Sequence, residues 1–247
     1  VLPRMAFVVS ASVGRLLQLK YFGLHSPMHK LQSHPIGSTR QLSSIQSLNI
    51  TASSQRRTMT DRVLEGVTVI DLTQYVSGPY CTKLMADYGA NVIKVECPKE
   101  GDPSRNIGPF PGDVPDKEKS GLFLALNVNK QSLSLDINSA RGRGLLLELI
   151  KDADVVVENL TPRVITNLNL SYEELSKINP RLIMTSISDF GQTGPYRDWK
   201  ATEIVAEAIG GNMYISGDYD REPLSFGVPL FQYVAGQNAL AATLMAL

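Results

Sequence analysis

Lys99, Arg105, Lys130 and Arg163 are the side chains in this sequence best suited to meeting a ligand, because ammonium and guanidinium groups pair with phosphate by charge and by hydrogen bond. Each alone is equally an ordinary solvated charge. What raises them is their common place near the ends of predicted strands. Gly78-Pro79 opens a predicted helix whose first backbone N–H groups can face an anion. Neither G-x-G-x-x-G nor G-x-x-x-x-G-K occurs, so the usual dinucleotide and P-loop modes are not supported. Imidazole chemistry drops out as well. His25, His29 and His34 all precede the regular part of the chain. Cys81 and Cys97 are too few for a disulfide framework or a four-ligand zinc site.

The elements that would position these groups alternate. Residues 67–71 (VTVID) are short, apolar and β-branched, the profile of a buried parallel strand. A helix follows, with Pro79 near its start, Tyr80, Leu84 and Tyr88 on one stripe beside Cys81 and Met85, and Gly89 as its stop. Residues 91–96 (NVIKVE) form the next strand, completing a βαβ unit. A helix over 139–151 leads to a strand over 154–158 (DVVVE). Ser171 to Glu174 forms a capping box for a short helix ending near Asn179-Pro180, and 182–187 (LIMTSI) make a fourth strand. The fold class is therefore α/β with a mainly parallel sheet. Ligands in such sheets bind beyond the carboxyl ends of the strands. Here those ends are residues 74–78, 96–102, 159–163 and 188–194. Residues 97–122 hold five prolines and four glycines without a period, which predicts a long surface loop of the functional kind. Residues 231–247 read as a helix still apolar at its end, so the chain is expected to continue.

A chain of this length can bury a substantial core, and 43% hydrophobic with 19% charged residues is ordinary globular composition. No run reaches the roughly 18 apolar residues of a membrane span. The net charge of zero hides an asymmetry: residues 1–60 hold seven Lys or Arg and no acid, which leaves the body net negative and argues against nucleic acid. Two readings of that first segment stand. Cationic, Ser-rich and free of acids, it suits a mitochondrial transit peptide, which implies the mitochondrial matrix. Alternatively, Met59 is an ordinary start, residues 1–58 are an upstream extension, and the protein is cytoplasmic. Either way residues 1–60 are set outside the fold, and residues 61–247 form the domain.

Ordered blocks across the body resemble the opening half of family III CoA-transferases, the CaiB/BaiF family. They are residues 71–82 (DLTQYVSGPYCT), 84–96 (LMADYGANVIKVE), 101–105 (GDPSR), 126–136 (LNVNKQSLSLD), 153–159 (ADVVVEN), 179–183 (NPRLI) and 191–196 (GQTGPY). The resemblance implies the large, Rossmann-like domain of a two-domain subunit that interlocks with a second copy as a homodimer. It implies transfer of coenzyme A from an acyl-CoA to a small carboxylic acid, with the CoA thioester as substrate and no tightly bound cofactor or metal. An aspartate would attack the thioester, passing through an anhydride to an aspartyl-CoA thioester; a carboxylate suits this because it is both nucleophile and leaving group. By matching motifs, Gln74, Tyr75 and Val76 fall in the loop along the CoA. Lys99, Lys130 and Asn159 fall at nucleotide and pantetheine contacts.

The family aspartate sits four residues before a glycine. In residues 227–236 (GVPLFQYVAG) that position is Gln232, and an amide cannot form the anhydride. Three explanations stand: a CoA-ester-binding homologue without the transfer reaction, a nucleophile from elsewhere, or a displaced alignment. For the second, Asp189, Asp218 and Asp220 are the local acids, although Ser188-Asp189 and residues 217–220 also read as solvated turns. After Asn159 the family's Arg-Pro-Gly is replaced, and Arg163 reads either as a displaced charge or as an exposed one. Residues 200–203 (KATE) lack the histidine that α-methylacyl-CoA racemisation would need.

Overall fold

The structure, a computed structural model, describes residues 7–10 and 62–247. Its six strands are β1 (Phe7–Ser10), β2 (Thr68–Asp71), β3 (Asn91–Glu96), β4 (Gln131–Ser134), β5 (Val155–Glu158) and β6 (Ile183–Ser188). They lie in the order β1-β6-β5-β2-β3-β4, and every neighbouring pair is parallel. The body winds outward from β2 through β3 to β4, then returns to β5 and proceeds the other way through β6. The loops after β2 and β5 therefore part company at the middle of the sheet, which is where a doubly wound sheet opens a crevice.

Four of these strands match the expected ones to within a residue or so at each end. β4 does not appear in the strand pattern because it is an edge strand with three of its four residues exposed. Phe7–Ser10 was set outside the fold, yet it runs as the opposite edge, with Phe7 in register with Thr185. The rest of the predicted extension, including its histidines, lies outside the described residues.

Helices cover both faces. On one lie α1 (Ser77–Asp87) and the terminal helix α7 (Leu230–Ala246); on the other lie α3 (Ala140–Lys151), α4 (Pro162–Asn167) and α5 (Tyr172–Ile178). Strand alternation divides the core between them. In β5, Val155 and Val157 join Cys81, Met85 and Ala239, while Val156 joins Leu146, Ile150 and Leu175. Burying a side chain of that size stabilises by about 1.5–3 kcal/mol. On α1 the buried stripe is Cys81, Met85 and Ala86, and Tyr88 at the end of the predicted stripe is half exposed. Ser171 is the N-cap of α5 but makes no side-chain cap bond, and Glu174 pairs with Lys177 instead of closing the predicted box.

Residues 97–122 are more ordered than their composition predicts. Two short 3-10 turns, Pro103–Asn106 and Pro111–Asp113, lead into α2 (Gly121–Asn127). Asp102 caps the first turn through Ser104 N–H at 2.9 Å. Ser120 caps α2 through Phe123 N–H at 3.1 Å and donates back to the Ser104 carbonyl at 2.8 Å. Side-chain-to-backbone bonds of this kind leave no hydrophobic period to read.

α7 packs lengthwise on α1 through one glycine. A Cβ at Gly236 would lie 2.3 Å from the Ser77 carbonyl oxygen, which is backbone and cannot swing aside. Gly236→Ala is therefore expected to lose about 2 kcal/mol of stability, seen as a lower denaturation midpoint of the full-length protein. A variant with an unchanged midpoint would show that the two helices are free to separate. Farther along α7, Thr243 bonds Thr185 near the start of β6 at 2.7 Å. The N-terminus of α7 is thus directed toward the carboxyl ends of the strands.

Candidate functional site

Four loops meet at the carboxyl end of the sheet: residues 72–76 after β2, 97–102 after β3, 135–138 after β4 and 159–161 after β5. They border a cavity of about 200 Å³. Its lining is apolar at Leu72, Val95, Leu160 and Val164, and its polar groups include Gln74, Asn138 and the carboxylates Glu100 and Asp136. The crevice predicted from topology is thus present as a cavity at the switch point.

The β2 loop is held from two sides. Asn159 grips the backbone of Gln74 reciprocally: its amide donates to the Gln74 carbonyl at 2.7 Å and its oxygen accepts the Gln74 N–H at 2.8 Å. Asp102 accepts the N–H of Tyr75 at 3.0 Å. Tyr75 needs that tie, because its φ of +73° lies in the left-handed region that a tyrosine rarely occupies. Lys94 reaches between the two, donating to the Thr73 carbonyl at 2.6 Å and to Asp102 at 2.7 Å, with both side chains almost wholly out of solvent. Burial opposes ionisation of Asp102, but the Lys94 ammonium and the Ser104 donors hold its carboxyl below the usual range.

Beneath this lies a second buried pair. Asp71 and Lys130 meet at 3.0 Å with side chains 0% and 1% exposed. Thr73 and Thr82 hydroxyls donate to the same carboxylate, and Lys130 also donates to the Pro79 carbonyl at 2.9 Å and to Asn127 at 2.8 Å. Burial works against the Asp71 charge, yet the Lys130 and Lys94 ammoniums with the two hydroxyls keep its carboxyl well below the ordinary value. These bonds tie the end of β2 to the loop after it, to α1 and, through Lys130, to the end of α2. The scaffold is ionic where the site is, and apolar elsewhere.

The predicted site residues divide accordingly. Lys130 is not placed to meet a phosphate: its three N–H donors are spent on Asp71, Pro79 and Asn127. Arg105 is likewise committed. It holds Glu96 by two bonds of 2.8 and 3.0 Å, lies over the Phe123 ring at 3.6 Å and reaches Glu118 at 3.3 Å. Lys99 and Arg163 are exposed, in the turn after β3 and the first turn of α4. Gln74 and Tyr75 are exposed and Val76 is buried as the N-cap of α1. Cys97 lines the cavity, whereas Cys81 is buried in the core, where burial first and Asp71 second push its thiol up to about 12.

Gln232 lies half-buried in the first turn of α7. Of the acids considered beside it, Asp218 and Asp220 are exposed on a turn, with Asp218 near Arg221 at 3.7 Å. Asp189 is exposed at the end of β6, although partial desolvation raises its carboxyl. The acid that does adjoin Gln232 is Glu203, the first residue of α6 (Glu203–Ile209). It accepts the Phe231 N–H at 2.6 Å and bonds the Gln232 side chain. Lys94, Asp102 and Glu203 are the residues that reading the sequence missed. Lys94 and Glu96 left a signal, as charges two apart in an otherwise apolar strand; Glu203 left none. Among the described residues there is no cluster of three or more His, Cys, Asp or Glu side chains able to hold a metal.

A family model described as CoA-transferase family III matches residues 64–247. A formyl-CoA:oxalate CoA-transferase of Streptomyces coelicolor is 41% identical over 189 residues, 76% of this chain and 45% of that protein. A protein named acyl-CoA transferase from Fusarium pseudograminearum is 38% identical over 79% of this chain and 44% of its own length. A mouse succinyl-CoA:glutarate CoA-transferase is 38% identical over 74% of this chain and 41% of its own length. Among solved structures, a CaiB/BaiF family protein from Brucella suis superposes with a TM-score of 0.69 at 36% identity, covering 74% of this chain and 48% of that one. The chain spans less than half the length of the curated relatives it matches.

Proposed function

The chain belongs to CoA-transferase family III, and on that premise we propose that the protein containing it transfers coenzyme A from an acyl-CoA thioester to a small carboxylic acid. The observation that carries this reading is the cavity at the switch point between β2 and β5, bordered by a pinned backbone loop. An apolar floor suits an adenine ring or a pantetheine arm. Lys99 and Arg163 are exposed beside the cavity rather than in its lining, which itself carries Glu100 and Asp136. They are the cations that would meet the phosphates of such a ligand outside it. The relatives named above act on formyl-, succinyl- or other acyl-CoA esters by their names, which favours the same substrate class here.

A second copy belongs to the proposal too. Tyr214, Ile215, Tyr219, Leu224 and Val228 stand exposed between α6 and α7, and an interlocked partner would cover such apolar surface. The mitochondrial matrix is proposed from the cationic, acid-free composition of residues 1–58 alone, and removal of that segment as a transit peptide would take the edge strand β1 with it.

Gln232 sustains one rival, a protein that binds CoA esters without exchanging them. The full-length protein incubated with succinyl-CoA and a panel of carboxylic acids decides between them. New acyl-CoA esters, matched by released succinate in mass spectra, are the expected result. Retained CoA without any new ester would leave the binding reading.

A further inference from the structure

The covalent route to CoA exchange runs through an enzyme carboxylate that accepts an acyl group from sulfur and passes it on, and residue 232 is an amide. The structure sets a carboxylate directly against that amide. The Glu203 carboxylate accepts the Phe231 N–H at 2.6 Å through Oε1, and both the backbone N–H and the side chain of Gln232 bond to it as well. Oε2 is shielded from solvent and has no partner. One oxygen is thus anchored at the N-terminus of a 17-residue helix, and the other keeps its lone pairs uncommitted. One turn along α6, the fully buried Glu207 accepts the Phe226 N–H, which fixes α6 against the chain entering α7.

We propose that Glu203 is the catalytic carboxylate of this protein, taking the place that Gln232 leaves open. The proposal rests on the CoA-transfer reading above. Gln232, bonded to Glu203, would have to swing away to admit the thioester. Oε2 then attacks the thioester carbonyl carbon; a C–O bond forms, the C–S bond breaks, and CoA leaves as the thiolate. The thiolate next attacks Cδ of the resulting Glu203 anhydride. The Cδ–Oε2 bond breaks, the donor acid departs with that oxygen as its carboxylate, and Glu203 holds CoA as a thioester. The acceptor carboxylate reverses both steps, restoring the Glu203 carboxylate with one oxygen of its own, and no proton is gained or lost. At each attack on Cδ the developing charge falls on Oε1, where the Phe231 N–H and the helix N-terminus already point. Burial also raises the Glu203 carboxyl above its ordinary range, partly offset by the Phe231 and Gln232 bonds. A carboxylate stripped of water in this way is the more reactive one.

The test uses the full-length protein, succinyl-CoA and hydroxylamine, which converts a glutamyl-CoA thioester into a hydroxamate. A hydroxamate on the peptide carrying Glu203 is expected. Glu203→Gln keeps an acceptor for the Phe231 N–H, so its fold should survive, while exchange falls at least about a thousandfold and CoA binding persists. Adding Gln232→Asp to that variant should restore measurable exchange, because the carboxylate is moved by one side chain only. Hydroxamate without acyl transfer to the chosen acids would still uphold Glu203 and fault only the acceptor panel. Exchange with the hydroxamate elsewhere, or an unimpaired Glu203→Gln protein, overturns Glu203 and leaves CoA transfer standing. Neither exchange nor hydroxamate in the wild type overturns both.

Discussion

Lys130→Met in the full-length protein is expected to cost about 3–5 kcal/mol of folding free energy, measured by chemical denaturation. Methionine nearly matches the lysine stem, so little packing is lost. What remains is the Asp71 carboxylate, fully buried beneath the β2 loop, with two hydroxyls and one backbone N–H but without the ammonium 3.0 Å away. The Pro79 carbonyl and the Asn127 side chain lose a donor at the same time. Removing one partner of a buried pair costs far more than the pair contributes, because the survivor keeps its desolvation penalty without its compensation. Adding Asp71→Asn to Lys130→Met should therefore recover a large part of the loss, and this double variant is the diagnostic one. If Lys130 were a solvated phosphate contact, the single change would move stability by less than about 0.5 kcal/mol and the second would add nothing.

Glu158→Gln should change how stability depends on pH. Glu158 ends β5 and is fully buried; one carboxyl oxygen accepts the Leu160 N–H at 2.8 Å and the other has no partner. Burial pushes its carboxyl up to about 7, against the 4.5 of an unfolded chain, while the Ser186 and Leu160 bonds pull weakly the other way. Below pH 4.5 both states hold the proton and Glu158 costs nothing. Between 4.5 and 7 the unfolded chain releases it and the folded protein does not, so stability falls as pH rises. Above 7 the folded protein ionises too and the penalty is complete, on the order of 3 kcal/mol at 1.4 kcal/mol per unit. Glutamine carries a constant cost for its unpaired amide, and none of this slope. The difference in unfolding free energy between wild type and variant should therefore shift toward the variant by about 2–3 kcal/mol from pH 5 to pH 8. A difference that is the same at both pH values would remove Glu158 as its source.

The sheet was legible because its central strands bury both faces, so β2, β3, β5 and β6 are short segments rich in β-branched residues that need no alternation. β4 was not, because only Leu133 of its four residues is even partly buried. That a ligand site should lie beyond the carboxyl ends of the strands followed from topology alone, and a cavity lies there, across the ends of β2, β3 and β4 and against α4. Charge was read less well. Lys130 and Arg105 look like phosphate ligands in a sequence because their partners are distant or unmarked: Asp71 is 59 residues from Lys130, and Glu96 lies nine from Arg105 across a loop without a period. Glu203 meets Phe231 across 28 residues through a helix-to-helix contact that no local pattern encodes. Local rules find elements, whereas buried ion pairs are properties of the packed whole.

At Gln74 and Tyr75 the loop after β2 is fastened by its main chain, through Asn159 on Gln74 and Asp102 on Tyr75, while Lys94 holds the Thr73 carbonyl beside them. The side chains of Gln74 and Tyr75 take no share in that fastening and stand exposed at the crevice. Heritable change can therefore fall on those two side chains without loosening the frame that presents them. Substitution at those two side chains can alter what the crevice presents, while Lys94, Asp102 and Asn159 go on holding the loop behind them. What the loop presents and what holds it in place are in this way entrusted to different residues.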